Sequence, residues 1–186
     1  MTIRSKQKIL INKPFNIVLV EPEIPPNTGN IARLCSATNT KLHLVHPLGF
    51  KITDRDLKRA GLDYWHLLDI KEYENWNVFA RRLSLVARDS SLESQVTSHE
   101  SRFWFISTRG EKNIWDIEFN PGDFLIFGSE TKGLSENILN QNKDKIVSIP
   151  MNGLTRSLNL STAVGIVLYE ALRQCKKKEL VEIAPV

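Results

Sequence analysis

The chain has 186 residues, 41% of them hydrophobic and 25% charged, the make-up of one globular domain with a sizeable core, which excludes disordered, collagenous and coiled-coil classes. Twenty-five Lys and Arg against 21 Asp and Glu leave a net charge of +4, a mild bias toward polyanionic partners. Cys35 and Cys175, the only two cysteines, sit in apolar helix-like runs; they exclude a disulfide framework or thiolate metal site and read as buried, reduced thiols.

In chain order, MTIRSKQKILINKPF has only a three-residue apolar run, too short for a signal-peptide core or a membrane span. No stretch long enough to span a membrane follows, so the expectation is a soluble, cytoplasmic protein without a membrane partner. NIVLV, residues 16–20, predicts a buried strand, and EPEIPPNTG behind it predicts a loop, its three prolines excluding helix or central strand. Helical spacing of Ile31, Leu34, Cys35 and Thr38 predicts a helix over residues 29–39, followed by a strand at LHLVH, residues 42–46. DRDLKRAG reads as a short helix ending at Gly61. Residues 76–86 read as a helix with Val78, Phe79, Leu83 and Val86 on one side, and residues 87–101, with five serines, read as a surface loop. FWFIS, FLIF and IVSI predict strands at residues 103–107, 124–127 and 146–149, with a short helix at LSENILNQ. A last helix over residues 159–176 is apolar over more than one stripe, so it is fully buried, or half-buried and shared with a second subunit. Strands alternating with helices imply an α/β domain with a largely parallel sheet.

Several chemistries lack their motifs. GSETKGLS lies between a strand and a helix as a phosphate-binding loop does, but Leu134 follows its second glycine where that loop needs lysine. GxGxxG after a strand, GxSxG, HExxH and CxxC do not occur. His43 and His46, on one strand, face opposite ways and cannot share a metal, so no metal is expected.

Three segments put Gly or Pro and polar residues at strand ends, where open α/β sheets bind ligands. In PPNTGNIAR, Asn27, Thr28 and Asn30 surround a helix start, and Arg33, placed in the first turn, is badly sited for the helix dipole unless it meets an anion such as phosphate; Asn27 or Thr28 equally suits a plain N-cap. In FGSETKG, Gly128 and Gly133 let backbone approach a ligand from which Glu130 accepts hydrogen bonds; the alternative is a tight turn with Glu130 as dipole partner of the next helix. In IPMNGLTRSLNLS, Ile149, Met151 and Leu158 offer apolar walls and Ser157, Asn159 and Ser161 polar groups, the lining of a site for a flat heterocycle, or else a loop and a capped helix.

In this order the three segments resemble the motifs of the SPOUT superfamily of RNA methyltransferases, which use S-adenosylmethionine. With RAGLDYWH, NIVLVEPEIPPNTGNIARLC, FGSETKGL and IPMNGLTRSLNLSTAVGIVLYEA are similar to the TrmL or YibK type, which methylates the ribose 2′-oxygen of the wobble nucleotide of tRNA, a cytidine or uridine at position 34. The similarity runs over residues 16–174. It implies an N-terminal extension over residues 1–15, a SPOUT domain over 16–176 with a C-terminal trefoil knot, a tail over 177–186, and a homodimer. Carried over, the methyl donor is held by Ile106, Thr108, Gly128, Ile149, Met151, Ser157 and Leu158, and the catalytic positions are Arg33, Asn27, Glu130 and Asn159. The resemblance implies that Arg33 assists deprotonation of the ribose 2′-hydroxyl; a guanidinium has too high a pKa for an ordinary base, so Arg33 is expected to bind phosphate and polarise the hydroxyl, with base action as the alternative. In-line attack on the sulfonium methyl then draws much of its rate from orientation. Arg33, Arg55, Lys58, Arg59 and Arg156 are the expected RNA contacts, with Lys176, Lys177 and Lys178 as either RNA contacts or dipole partners. The same chemistry on another tRNA or ribosomal position, and a noncatalytic RNA-binding protein, are the competing readings.

Overall fold

The computed structural model describes residues 7–51, 69–89 and 102–185. Nine strands are present among them: β1 (Gln7–Ile11), β2 (Asn16–Val20), β3 (Lys41–Val45), β4 (Ile70–Tyr73), β5 (Phe103–Ile106), β6 (Lys112–Asn113), β7 (Phe124–Phe127), β8 (Ile146–Ser148) and β9 (Val181–Pro185). The helices are α1 (Pro25–Thr38), α2 (Trp76–Asp89), α3 (Glu136–Asn140) and α4 (Leu160–Lys177). Seven strands form one parallel sheet in the order β4-β3-β2-β7-β5-β8-β6, and β1 pairs antiparallel with β9 in a separate ribbon.

A two-residue side-chain period divides the core between the two sheet faces. Ile17 and Leu19 of β2, Leu42 and Leu44 of β3, and Leu125 and Phe127 of β7 pack with Ile31, Ala32 and Cys35 of α1 and with Val164, Val167, Leu168, Ala171 and Leu172 of α4. The intervening Val18, Val20, Val45 and Ile126 pack with Phe79 of α2 and with Ile138 and Leu139 of α3. Every residue of β2 is buried, as expected of a parallel strand covered on both sides. Strands β7, β5 and β8 lie side by side in the sheet, and the space beyond the C-terminal ends of such parallel strands is where open α/β sheets bind ligands.

Several expectations change. Helix α1 begins at Pro25, four residues earlier than its apolar spacing suggested, because Pro25 and Pro26 fill the first turn, whose N–H groups have no partner within a helix anyway. Arg33 is therefore the ninth helical residue, past the first turn where the helix dipole opposes a cation. Asn27 and Thr28 are not the N-cap, which is Ile24. In α2 Phe79 is buried but Val78, about 100° around the helix, is exposed, and the helix extends through Asp89 into the segment read as loop. Strand β4, IKEY, was passed over because Lys71 and Glu72 break its apolar run; it is the sheet edge, where charge is normal. His46 lies past the end of β3 and bonds to Glu72 at 3.0 Å, whereas His43 is buried within the strand. The DRDLKRAG helix and the rest of the serine-rich segment fall outside the described residues. Burial pushes the free Cys35 and Cys175 thiols up to about 12 and about 11, leaving both as inert core groups.

Candidate active site

A cleft of about 550 Å³ opens beyond the C-terminal ends of β5, β7 and β8. Three loops line it: Ile106 to Arg109 after β5, Phe127 to Leu134 after β7, and Ile149, Met151 and Arg156 to Asn159 after β8, joined by Ile24 and Asn27 from the start of α1. Ile106, Leu134, Ile149, Met151 and Leu158 make apolar walls, while backbone groups and the Thr108 and Ser157 hydroxyls supply polar contacts. An apolar cavity of this size with a few convergent polar groups is the usual form of a small-molecule site.

Each loop is shaped by its own sequence. In the β7 loop a Cβ on Gly128 would lie 2.0 Å from the Gly133 carbonyl carbon, and Gly133 itself has φ +68°. The two glycines thus let the loop fold back on itself, with Gly133 N donating to Ser129 O at 2.9 Å. The β8 loop ends at Asn159, whose side-chain oxygen accepts from Ser161 N at 2.9 Å and Thr162 N at 3.3 Å and caps α4.

A hydrogen-bond chain ties the loops together. With its oxygen committed to the cap, Asn159 turns its amide nitrogen to Asn27 Oδ1, 2.9 Å away, and Asn27 Nδ2 donates to Glu130 Oε1 at 2.8 Å. A carboxylate only accepts, so the orientation of the Asn27 amide is determined. Glu130 also accepts from Glu23 N at 2.7 Å and Ile24 N at 3.2 Å. Helix α1 has no acidic residue in its first turn and no side-chain cap; Glu130, from another loop, brings the negative charge that its N-terminus favours. Glu23 answers across the same junction, accepting from Thr131 N at 3.1 Å and from Thr131 Oγ1 at 2.7 Å. Glu23 and Thr131 were missed from sequence, since nothing local in EPEIPP reveals a bond to a residue 108 positions away.

A family model described as the SpoU rRNA Methylase family matches residues 14–169. The chain belongs to this family. It is 43% identical over 161 residues, 86% of its own length and 95% of the relative's, to a tRNA (cytidine(34)-2'-O)-methyltransferase of Saccharophagus degradans. A solved structure described as giving insight into 2-OH methylation of C/U34 on tRNA superposes with a TM-score of 0.77 at 39% identity, covering 89% of this chain and 98% of that one. The SpoU methyltransferase AviRb of Streptomyces viridochromogenes in complex with AdoMet superposes with a TM-score of 0.72 at 25% identity, covering 89% of this chain and 59% of that one.

Within this SpoU methylase chain, Ile106, Thr108, Gly128, Ile149, Met151, Ser157 and Leu158, and with them Asn27, Glu130, Asn159 and Arg156, all line the one cleft. Arg33 does not line it; it lies on the exposed stripe of α1 with Pro26, Asn30 and Ala37. Arg55, Lys58 and Arg59 fall outside the described residues. Arg109 and Lys132, not singled out from sequence, line the cleft too, so among the described residues its charged lining is three cations and Glu130. Arg109 is ion-paired with Glu136.

Proposed function

We propose that the cleft binds S-adenosylmethionine and that the chain methylates the 2′-hydroxyl of nucleotide 34 of tRNA, in the cytoplasm where that substrate resides. What carries the reading is near full-length similarity, at 43% identity, to a tRNA (cytidine(34)-2'-O)-methyltransferase. The lining residues suit this cofactor: apolar walls from three loops for a flat base, and backbone and hydroxyl groups for its polar end. When bound, S-adenosylmethionine supplies an electrophilic methyl group on a positively charged sulfur.

The residues divide the remaining work. Asn27, Glu130 and Asn159 spend their hydrogen-bonding capacity on one another and on helix ends, so they hold the cleft walls in register and do not carry protons. Arg33, always charged, holds an RNA phosphate from the outer face of α1 and, across a subunit boundary, draws charge from the hydroxyl attacking at the partner subunit's cleft. Helices α1 and α4 pack on one face of the sheet, and Ile166 and Tyr169 of α4 are exposed. That outer surface is the face through which we place the homodimer, with Arg33 at the subunit boundary. The trefoil knot belongs to the same proposal, supported by the insertion of β7 between the earlier strands β2 and β5.

The test is transfer of labelled methyl from S-adenosylmethionine to tRNA lacking its wobble methylation, followed by nuclease mapping. Label at nucleotide 34 is expected. Label at another position would keep the chemistry and overturn the substrate. Absence of both label and saturable cofactor binding would leave a noncatalytic RNA-binding protein.

A further inference from the structure

Trp115 and Leu154 are 67% and 87% exposed, the most exposed large apolar side chains among the described residues. Neither exposure comes from a slack loop. Trp115 N donates to Asn113 Oδ1 at 2.8 Å, Asp116 N donates to Asn113 O at 3.0 Å, and the Asn113 amide nitrogen donates to the Asp116 carboxylate. Ile114 and Ile117, on either side of this turn, are buried in the core. An indole is thus held out into water by a turn anchored at both ends. Leu154 is held in a similar way: Gly153 has φ +80° and Leu154 N donates to Asn152 Oδ1 at 3.0 Å.

Both turns are joined to segments that line the cleft. Ile114 N donates to Ser148 O at 2.9 Å, and the residue after Ser148 is the cleft-lining Ile149. Met151 and Arg156, on either side of the Leu154 turn, line the cleft themselves. Among the described residues Arg109, Lys132 and Arg156 make the cleft lining net positive, and the single lining carboxylate among them, Glu130, is turned toward N–H donors. Flat apolar surface beside cations matches one chemistry well, an unpaired nucleotide with a π-face and a phosphate. A protein partner would need a wider apolar patch than two separate side chains.

We propose that Trp115 and Leu154 form a base-stacking rim, on which an unpaired base of the RNA next to the target nucleotide rests while Lys132 and Arg156 contact its phosphates. This rests on the RNA-methyltransferase reading of the cleft, so its test includes a readout independent of turnover. Full-length wild type, Trp115→Ala, Trp115→Phe and Leu154→Ala are titrated into a fluorescein-labelled anticodon stem-loop by anisotropy, alongside methylation kinetics on tRNA, calorimetry with S-adenosylmethionine and sedimentation velocity. Loss of one base stack corresponds to a weakening of roughly 5- to 150-fold in RNA dissociation constant and KM for Trp115→Ala. Trp115→Phe is expected to recover most of that loss, Leu154→Ala to show a smaller one, and cofactor affinity and sedimentation to stay at wild-type values. Unchanged RNA affinity in Trp115→Ala would overturn the rim and leave the methyltransferase reading intact. A shift of Trp115→Ala toward a smaller species would show that the indole serves a subunit contact, which also overturns it. Wild type that binds the stem-loop but methylates nothing would overturn the catalytic reading alone.

Discussion

His43 shows how a single side chain acquires its state from its surroundings. Asn16 Nδ2 donates to Gly122 O at 3.0 Å, which turns Asn16 Oδ1 toward His43 Nε2 at 3.1 Å; Nε2 therefore carries the proton and Nδ1 accepts from the Tyr73 hydroxyl at 3.0 Å. Burial, with Lys71 and Lys41 adding to it and Asp69 opposing, lowers its pKa from 6.5 to about 4. The unfolded chain takes up this proton near pH 6.5 and the folded chain only near 4, so stability is full above 6.5 and falls as pH drops between those values. The loss approaches about 3 kcal/mol by pH 4, and urea midpoints measured from pH 7 to 4 are expected to decline over that window; a flat profile would contradict a neutral buried imidazole. Arg33 was legible as a candidate only through the resemblance, because it lies in the third turn of α1 and not in the first, where a cation opposes the helix dipole. Its position on the outer face of α1, away from the cleft, separates binding from chemistry. Arg33→Ala is expected to retain wild-type S-adenosylmethionine affinity by calorimetry and to lose roughly 10²-fold or more in turnover. Near-normal turnover would remove Arg33 from the mechanism.

At the scale of elements, the decisive feature is one amide performing two tasks. Asn159 caps α4 with its oxygen and holds Asn27 with its nitrogen, so the choice posed from sequence between a plain cap and a site residue was not a real alternative. Substitutions separate the tasks. Asn159→Asp keeps a capping acceptor as good as the original but turns a carboxylate toward Asn27 Oδ1. Thermal stability close to wild type is expected, with cofactor affinity reduced by about tenfold, the scale of one lost hydrogen bond. Asn159→Ala loses both tasks, and about 1 kcal/mol of stability goes with the cap. If Asn159→Asp bound cofactor as tightly as wild type, the Asn27 bond would have no part in shaping the cleft. The central strands were legible because residues such as those of NIVLV and FLIF are buried on both faces and leave an unbroken apolar run. Strands β4 and β6 were not, since one is a charged edge and the other two residues long. The reciprocal Glu23 and Thr131 bonds were equally hidden, being a product of the strand order.

At the scale of the whole molecule, the chain ends depart most from what the sequence conveyed. Residues 1–15 and 177–186 read as an extension and a tail, and the family match at 14–169 stops short of both strands they contain. Yet β1 and β9 pair along their full lengths, from Gln7 opposite Pro185 to Ile11 opposite Val181. Antiparallel pairing between segments 170 residues apart has no local signature, and a two-stranded ribbon is at best marginal alone in water. This one is held by its inner side: Val181 is buried, and Ile9 and Ile11 pack against the same core as α1 and α4. Removing residues 2–12 strips those two isoleucines from the core and leaves β9 without its partner. Each isoleucine is only partly buried, so the expected destabilisation is about 2 kcal/mol or somewhat more, read from the urea midpoint of the truncated chain against wild type. The cofactor site should not register the loss. Helix α4 begins at the cleft with Asn159 and runs 18 residues before the chain turns into β9, which puts about 27 Å between ribbon and cleft at the helical rise. Calorimetric affinity for S-adenosylmethionine is therefore expected to match wild type under conditions where the truncated chain is folded. A tenfold weakening there would mean that the paired ends set the position of α4, and through Asn159 the width of the cleft.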